Sequence, residues 1–349
     1  SYTTNSNGMI TVNNLGVGNY YFQEIQAPTG FSLNSTKIPF SLTTSNNGKV
    51  VKLTAKDDVI KGSVELTKTD NSGASKLSNA EYELHKDDGT LIGKYKTGFF
   101  GTLKVDNLEY GRYYFKEITA PTNYNLNPDL VYFNITSASQ VVQVSQKDTR
   151  LNVPVVVTKN DAENGKILPN ATYQLYGPDN SLKGSFTTDN KGQFRFSVDT
   201  VGQYKLIETS APKGYNLDKT PTTFNITMQN NNKEVKLNVT DKIFKGSLKI
   251  HKIDSETKQG IANVKFSIYS GNKVYKEVTT NNEGIATIDN IPYGDYKIVE
   301  TSTPVGYLAN SNAVTFSITN QGQVITKEIV NNKIKAGITL TKTDVETGK

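Results

Sequence analysis

One phrase returns four times along this chain: a tyrosine, a glutamate four residues later, and then a turn of the form Pro-x-Gly-aromatic, with asparagine once in place of the glycine. Its copies follow one another at intervals of 91–93 residues, around Glu24, Glu117, Glu208 and Glu300. A repeat of that length is a whole small domain, so the chain is predicted to be a tandem array.

The repeat sets the expected domain boundaries. We predict a partial domain that lacks its first two strands, three complete domains, and the first strand of a further domain, at residues 1–61, 62–152, 153–245, 246–335 and 336–349. The first four segments are called the first to fourth repeats below. The chain therefore looks cut from a longer array, and joins of at most two residues predict closely abutting domains.

Within each repeat, apolar residues alternate with polar ones in short runs, as in Val235-Lys236-Leu237, and glycine-containing turns separate the runs. Period two is typical of half-buried antiparallel strands, and no helical stripe of useful length interrupts it. Many short strands in about 90 residues predict an all-β tandem array of small β-sandwiches. In the second repeat we expect strands at 62–70, 80–86, 131–136 and 141–148.

Composition excludes several classes of protein. The chain has no cysteine and two histidines, which excludes disulfides and Cys/His zinc sites, and we find no metal or cofactor site. Its net charge of +6 comes from interspersed lysines and acids, which argues against a nucleic-acid partner. No apolar run approaches the roughly 18 residues of a membrane span. We also expect no exposed aromatic patch that departs from the repeat.

Each glutamate has two companions that recur at the same interval. A lysine lies near the end of each first strand, on the same face as apolar neighbours: Lys68, Lys159, Lys252 and Lys342. An acidic or amide residue ends each closing strand, again in phase with inward residues: Asp57, Asp148, Asp241 and Asn331. Asn332 adjoins the last of these, and strand phase favours Asn331.

A lysine, a glutamate and an Asp or Asn that converge on one core can react with one another. Desolvation lowers the pKa of the lysine and raises that of the glutamate, which leaves a nucleophilic amine and a carboxyl group that can donate a proton. The lysine would attack the Asp or Asn side chain while the glutamate polarises its carbonyl and shuttles protons. The product is an amide between the first and closing strands, formed with loss of water from Asp or ammonia from Asn.

The alternative is a buried ion-pair network, or a lysine that extends outward at the strand end. One inward lysine would favour that alternative, whereas four copies in register with a glutamate and an acceptor favour the crosslink. In this chain Glu24 and Asp57 of the first repeat have no lysine, and Lys342 has neither glutamate nor acceptor. Lys342 of one molecule could dock into the open first repeat of another, although the second strand would still be missing there.

Three motifs together resemble the B-type repeats of Gram-positive collagen adhesins, also known as CnaB-like, prealbumin-like or SpaA-type pilin domains. They are the first strand with LTKTD, the Tyr-x-x-x-Glu strand with its Ala-Pro-x-Gly-Tyr turn, and the closing strand that ends in Asp or Asn; they cover essentially the whole chain. The resemblance implies an inverse immunoglobulin-like sandwich and a spontaneous Lys–Asn/Asp isopeptide bond assisted by glutamate. Carried over to this sequence, it implies Lys68–Asp148 with Glu117, Lys159–Asp241 with Glu208, and Lys252–Asn331 with Glu300. Most acceptors here are Asp, whereas Asn is common in pilins.

These observations favour a structural role over an enzymatic one. We expect a stalk segment of a bacterial cell-surface adhesin or pilus-like protein, extracellular and cell-wall anchored, whose only reaction is its own single-turnover crosslinking. The expected partners are neighbouring repeats of the same chain, and a host surface ligand bound through parts outside this chain. The alternative is that the repeats themselves bind a host ligand. An enzyme acting on an external substrate is not expected, since no histidine-containing triad recurs in the repeats.

Overall fold

Strands dominate the fold, as the alternating sequence pattern predicts. The computed structural model describes residues 1–348, and the helical segments within them are two short 3-10 turns, Thr44–Asn46 and Met228–Asn230. The chain forms two compact units, residues 1–151 and the residues from 152 onward, each containing two of the repeats. The all-β prediction is therefore confirmed.

The first repeat forms one two-stranded sheet, β1 (Gly18–Phe22) and β2 (Ile38–Leu42). Its residues 50–57, which correspond to a closing strand, form no strand, because the first strand with which closing strands pair elsewhere has no counterpart in this repeat. Residues 336–343 also form no strand, and Ile338 and Leu340 are exposed. The assignment of 336–349 to a further domain stays a prediction, and Lys349 lies outside the described residues.

The second repeat is a sandwich of two sheets. Its strands are β3 (Lys61–Asp70), β4 (Glu81–Lys86), β5 (Leu91–Lys96), β6 (Thr102–Glu109), β7 (Gly111–Thr119), β8 (Val131–Ile135) and β9 (Val141–Asp148). One sheet has the order β6-β3-β9 and the other the order β5-β4-β7-β8. The four strands predicted from the sequence all form, within a residue or so of the expected ends.

The third and fourth repeats have the same two sheets. The third contains β10 (Val153–Asp161), β11 (Thr172–Tyr176), β12 (Leu182–Thr187), β13 (Gln193–Val198), β14 (Gly202–Ser210), β15 (Thr222–Ile226) and β16 (Val235–Asp241). The fourth contains β17 (Lys245–Asp254), β18 (Lys265–Ser270), β19 (Lys273–Thr279), β20 (Ile285–Pro292), β21 (Gly294–Ser302), β22 (Val314–Ile318) and β23 (Val324–Asn331). Their sheet orders are β13-β10-β16 with β12-β11-β14-β15, and β20-β17-β23 with β19-β18-β21-β22.

The core of each sandwich lies between its two sheets. In the second repeat, Val64 and Leu66 of β3 project inward and are completely buried. They pack with aromatic side chains of the opposite sheet, Tyr82, Phe115 and Phe133. Burial of each large apolar side chain stabilises the fold by about 1.5–3 kcal/mol. The apolar residues that alternate along the strands therefore form an interior without water. Every side chain on the inward face of β3 lies in this interior.

The first and closing strands of each complete repeat are parallel neighbours: β3 with β9, β10 with β16, and β17 with β23. Period two alone predicted antiparallel strands, which is wrong for these pairs. The two strands are far apart in sequence, so the chain has room for the crossover that parallel pairing needs. Lys68 pairs with Gln146 in this register, so Asp148, two residues further along β9, projects from the same face as Lys68.

The turn after each glutamate strand has the left-handed residue that its sequence predicts. The φ angles are +88° at Gly30, +70° at Asn123, +87° at Gly214 and +89° at Gly306. Each residue follows a proline by two positions, and in each turn the proline carbonyl accepts a hydrogen bond from the aromatic residue that comes next. Glycine and asparagine therefore recur here because they tolerate this conformation.

One turn departs from the repeat. Phe99 and Phe100 follow strand β5 and are 87% and 74% exposed, with their rings 5.2 Å apart in an edge-to-face arrangement. The third repeat has Asn190 and Lys191 at the corresponding positions. The expectation that no exposed aromatic patch departs from the repeat is therefore wrong, because a pair of aromatic residues inside a turn leaves no mark on the strand pattern.

The glycine of the third-repeat turn also contacts the fourth repeat. A Cβ atom added at Gly214 would lie 2.5 Å from the ring of Tyr293, and Gly214 accepts a hydrogen bond from the backbone N–H of Phe244. We predict that Gly214→Ala destabilises the protein for two reasons. Alanine must adopt the positive φ, which costs about 1–3 kcal/mol, and its Cβ must displace the Tyr293 ring, which costs a similar amount. Calorimetric unfolding measures the change. Gly165→Ala is the matched control, since Gly165 has φ +71° but open space around it; equal losses of stability in the two variants would contradict a role for the Tyr293 contact.

Candidate functional site

Three lysines lie inside the sandwiches rather than on their surfaces. Lys68, Lys159 and Lys252 project from the inward faces of β3, β10 and β17 and are at most 1% exposed. The residues two and four positions before each lysine, on the same face, are fully buried valine, leucine or isoleucine. An amine in this position has lost its water and needs polar partners from the protein.

A glutamate of the opposite sheet faces each lysine. The distance from Nζ to the nearer carboxylate oxygen is 3.0 Å for Lys68–Glu117, 3.1 Å for Lys159–Glu208 and 3.0 Å for Lys252–Glu300. The glutamates come from β7, β14 and β21. Each triad therefore spans both sheets, and the repeated spacing in the sequence reflects this one contact across the core.

The predicted acceptor residues complete the three clusters. Nζ of Lys68, Lys159 and Lys252 donates a hydrogen bond to Oδ1 of Asp148, Asp241 and Asn331, respectively. The acceptors end the closing strands β9, β16 and β23 and are 1–2% exposed. In the fourth repeat the buried residue is Asn331, while Asn332 is exposed. Each amine is thus in contact with the group that would have to react with it.

The second oxygen of the glutamate is fixed by the protein. Oε2 of Glu117 accepts a hydrogen bond from the backbone N–H of Asn127 at 2.8 Å, and Oε2 of Glu208 accepts one from Asp218 at 3.1 Å. In the fourth repeat Glu300 instead accepts a hydrogen bond from Nδ2 of Asn331 through Oε1, at 2.8 Å. The glutamate is therefore already in contact with the amide nitrogen that would leave.

Burial shifts four of these groups, Glu117, Asp148, Glu208 and Lys252, towards their uncharged forms. It raises the pKa of Glu117 and of Asp148 above their usual ranges, although Lys68 opposes both shifts. It also raises the pKa of Glu208, and it lowers the pKa of Lys252 in spite of the nearby Glu300. Neutral amines and protonated carboxyl groups are the forms that amide condensation requires.

Two carboxyl oxygens of the triads, Asp148 Oδ2 and Asp241 Oδ2, have no hydrogen-bond partner among the described residues. A buried acceptor without a partner costs about 1–3 kcal/mol. Loss of an oxygen from each Asp would remove one of these unsatisfied atoms, so the clusters have a physical reason to react.

Sequence reasoning did not identify the polar groups next to the amines. Nζ of Lys68 also donates to Oε1 of Gln146 at 2.9 Å, and Nζ of Lys159 donates to the hydroxyl of Tyr173 at 2.7 Å. Both are buried. The signal was present, because Gln146 is in phase with Asp148 on the inward face of β9, where apolar residues are expected.

The remaining predicted site residues are Glu24 and Asp57 in the first repeat and Lys342 in the last segment. Glu24 and Asp57 of the first repeat are half-buried, and partial burial together with the charge of Glu24 raises the pKa of Asp57. Glu24 accepts the same kind of backbone hydrogen bond as the complete sites, from Asn34 at 2.9 Å. Lys342 is exposed. Within residues 1–61, the glutamate therefore makes the same backbone contact as its counterparts Glu117 and Glu208.

The buried charges predict a pH dependence for a variant that cannot crosslink. Lys68→Met leaves Glu117 and Asp148 buried without a cation. This should lower the free energy of unfolding by about 3–5 kcal/mol at pH 7. Their folded-state pKa values are raised, so the folded state holds protons that the unfolded chain releases above about pH 4. The contribution of these two carboxyl groups to stability should therefore be greatest below that pH and be lost as the pH rises towards 7. The control is Lys68→Met combined with Glu117→Gln and Asp148→Asn; a constant difference in Tm between the two variants across this range would contradict the prediction.

Within residues 1–348, no helix is long and apolar enough to cross a membrane, and no group of three or more His, Cys, Asp or Glu side chains is arranged to hold a metal ion.

Several known proteins are similar to this chain in sequence. The chain is 30% identical over 155 residues to the trypsin-resistant surface T6 protein of Streptococcus pyogenes serotype M6, a match that covers 44% of this chain and 26% of that protein. It is 32% identical over 143 residues to the collagen adhesin of Staphylococcus aureus, covering 38% and 11%, respectively. The chain thus matches less than a third of the length of either relative.

A solved structure shares the fold over more of the chain. The Bacillus anthracis TIE protein superposes with a TM-score of 0.70 at 28% identity and covers 79% of this chain and 51% of that one. The sequence pattern of the SpaA prealbumin-like fold domain matches four times, at residues 1–58, 62–150, 153–242 and 246–333. The chain belongs to the SpaA-type family of prealbumin-like domains, which occur as repeats in adhesins and pilins of Gram-positive bacteria.

Proposed function

We propose that the second, third and fourth repeats each close an intramolecular isopeptide bond, at Lys68–Asp148, Lys159–Asp241 and Lys252–Asn331. The observation that carries the proposal is the contact of a fully buried lysine amine with both a glutamate and an acceptor side chain in all three repeats. An ion-pair network without reaction would keep several charged or unsatisfied groups in a dry core, at a cost of several kcal/mol.

The reaction needs only these three side chains. The neutral lysine nitrogen attacks Cγ of the acceptor, and the N–C bond forms. At Asp148 and Asp241 the C–OH bond breaks, and the proton that the nitrogen loses passes through the glutamate to the leaving hydroxyl, which departs as water. At Asn331 the C–N bond breaks and the same proton leaves with ammonia. The folded core holds the reactants together, so the reaction needs no external substrate.

The bond would give each repeat a direct path for mechanical load. A pull that enters at the start of β3 passes along the strand, crosses from Lys68 to Asp148, and leaves at the end of β9. The crosslinked residues are 80, 82 and 79 positions apart in the three repeats, and the chain between them bears no load. Closing loops of this size should add about 4–5 kcal/mol of stability by the estimate used for disulfides.

A chain of such repeats suits a stalk outside the cell. We propose that it is part of a cell-wall-anchored adhesin or pilus-like surface protein, with the domain boundaries given by its repeats, and that any ligand is bound elsewhere in the parent protein. The amide replaces the disulfides that a cysteine-free chain cannot form. Apart from its own crosslinking, the protein would have no enzymatic activity.

The intact mass of the denatured protein tests the proposal. We predict a mass lower than the sequence mass by two waters and one ammonia. Glu117→Ala should abolish only the bond of the second repeat, so that its deficit falls to one water and one ammonia. Peptide mapping should then recover Lys68 and Asp148 in separate peptides while the other two pairs stay joined. A full sequence mass for the unaltered protein would overturn the proposal and leave buried ion pairs in its place.

A second candidate function is direct ligand binding by the second repeat. The observation that favours it is the exposed aromatic pair Phe99–Phe100 in a turn that is polar in the third repeat. Exposed apolar groups of this kind often mark contact sites.

Immobilised collagen is the first probe for this candidate, because one relative is a collagen adhesin. If the turn binds collagen, replacing Phe99→Asn and Phe100→Lys, the residues of the third repeat, should reduce binding in surface plasmon resonance at least tenfold. The crosslinks and the Tm should not change, because both side chains are exposed. Absence of binding by the unaltered protein, or equal binding by the variant, would remove this candidate for collagen.

A further inference from the structure

The three lysine amines differ in one neighbour. In the second repeat, Oε1 of Gln146 accepts hydrogen bonds from Nζ of Lys68 at 2.9 Å and from the hydroxyl of Tyr82 at 2.7 Å. Nε2 of Gln146 donates to the backbone carbonyl of Asp129 at 2.7 Å. The amide of Gln146 is therefore held at both ends, and its oxygen is a fixed acceptor for the lysine.

The third repeat provides an acceptor from the other sheet. Its residue at the position of Gln146 is Val239, which pairs with Lys159 across the parallel strands. The hydroxyl of Tyr173, at the position of Tyr82, accepts a hydrogen bond from Nζ of Lys159 directly, at 2.7 Å. One neutral oxygen thus contacts the amine in each of these repeats, although it comes from a different strand.

The fourth repeat has apolar residues at both positions. Phe266 replaces the tyrosine, and Ile329 pairs with Lys252 where Gln146 pairs with Lys68. Both side chains are buried. In the second and third repeats a neutral oxygen accepts a hydrogen bond from the amine, and the residue that would be crosslinked is Asp. In the fourth repeat no such oxygen is present at either of these two positions, and the residue that would be crosslinked is Asn331.

We propose that Gln146 and Tyr173 are positioning residues for crosslinking at the two Asp acceptors. This inference rests on the proposed isopeptide reaction. A neutral amine has two protons and one lone pair. Gln146 or Tyr173 holds one proton, the other faces the glutamate, and the lone pair is then directed at Cγ of the Asp. The held proton is the one that the amide nitrogen keeps, and the other leaves in the water.

The chemistry of the acceptor explains why Asp sites need this residue. A carboxyl oxygen attracts an N–H of the lysine and so turns a hydrogen, rather than the lone pair, towards the reacting carbon. The neutral oxygen of Gln146 or Tyr173 competes for one N–H of the lysine and draws it away from the carboxyl oxygen. Oδ1 of Asn331 also accepts a hydrogen bond from Nζ of Lys252, but Nδ2 of Asn331 donates to Glu300 at 2.8 Å, a contact that an Asp cannot make and that fixes the side chain from the other side.

Tyr173→Phe tests the inference, because it removes the hydroxyl and keeps the ring. The protein is made by cell-free translation, samples are denatured at intervals, and peptide mass spectrometry follows each crosslink separately. We expect the Lys159–Asp241 bond to form about three- to tenfold more slowly, as the loss of one hydrogen bond in the transition state predicts. The Lys68–Asp148 and Lys252–Asn331 bonds in the same molecules should form at unchanged rates.

Two further variants separate positioning from a general loss of stability. Tyr204→Phe removes another buried hydroxyl of the third repeat, one that donates to the carbonyl of Thr200 and does not contact the lysine, so its crosslinking rate should not change. Adding Val239→Gln to Tyr173→Phe supplies the acceptor of the second repeat and should restore most of the rate.

The outcomes distinguish the two proposals. If the unaltered protein forms no Lys159–Asp241 bond, the proposed function fails for this repeat. If it forms the bond, and Tyr173→Phe either reacts at the same rate or is slowed no more than Tyr204→Phe, the crosslink stands and the positioning role is overturned.

Discussion

The burial of a lysine amine between two carbonyl-bearing side chains is the interaction on which each complete repeat depends. Taking an ammonium ion and two carboxylates out of water costs more than their attraction returns, unless every group finds a partner. Here the strands that bury the amine also bring its partners: the closing strand lies beside it in the same sheet, and the glutamate strand faces it from the other. The same apolar packing that stabilises the sandwich therefore creates the unfavourable charges that an amide bond would eliminate.

The three clusters share one geometry but not one set of neighbours. Lysine, glutamate and acceptor recur as a pattern in all three, whereas the side chains behind the amine are Gln146 with Tyr82, then Tyr173 with Val239, then Phe266 with Ile329. A residue that only filled space would not need to supply an oxygen from either of two strands. In the two repeats whose crosslink acceptor is Asp, the variation fits a requirement for a neutral oxygen at one point in space, which either strand can supply.

Much of this fold could be predicted from the sequence, for a definable reason. Strand alternation determines which face each residue occupies, so the inward orientation of Lys68 and Asp148 follows from their strand positions alone. Alternation does not determine which inward residues meet across the core, nor whether neighbouring strands run parallel, since both depend on the path of the chain between sheets. The contacts of Gln146 and Tyr173, and the parallel pairing of β3 with β9, were missed for that reason. The exposed Phe99 and Phe100 were missed because turns have no periodicity.

The parallel pairing of β3 with β9 has a consequence for the kinetics of folding. These strands lie about 80 residues apart in sequence, and joining such distant segments is the slow, entropically costly part of forming a β-sandwich. The amide would join these two distant strands rather than the two strands of a hairpin. A repeat that has reacted once would keep its most distant contact through any later opening. Its refolding would then require only contacts between strands that are closer in sequence, such as β3 with β6 and β4 with β7, so a domain with a slow first folding event could recover faster from every subsequent disturbance.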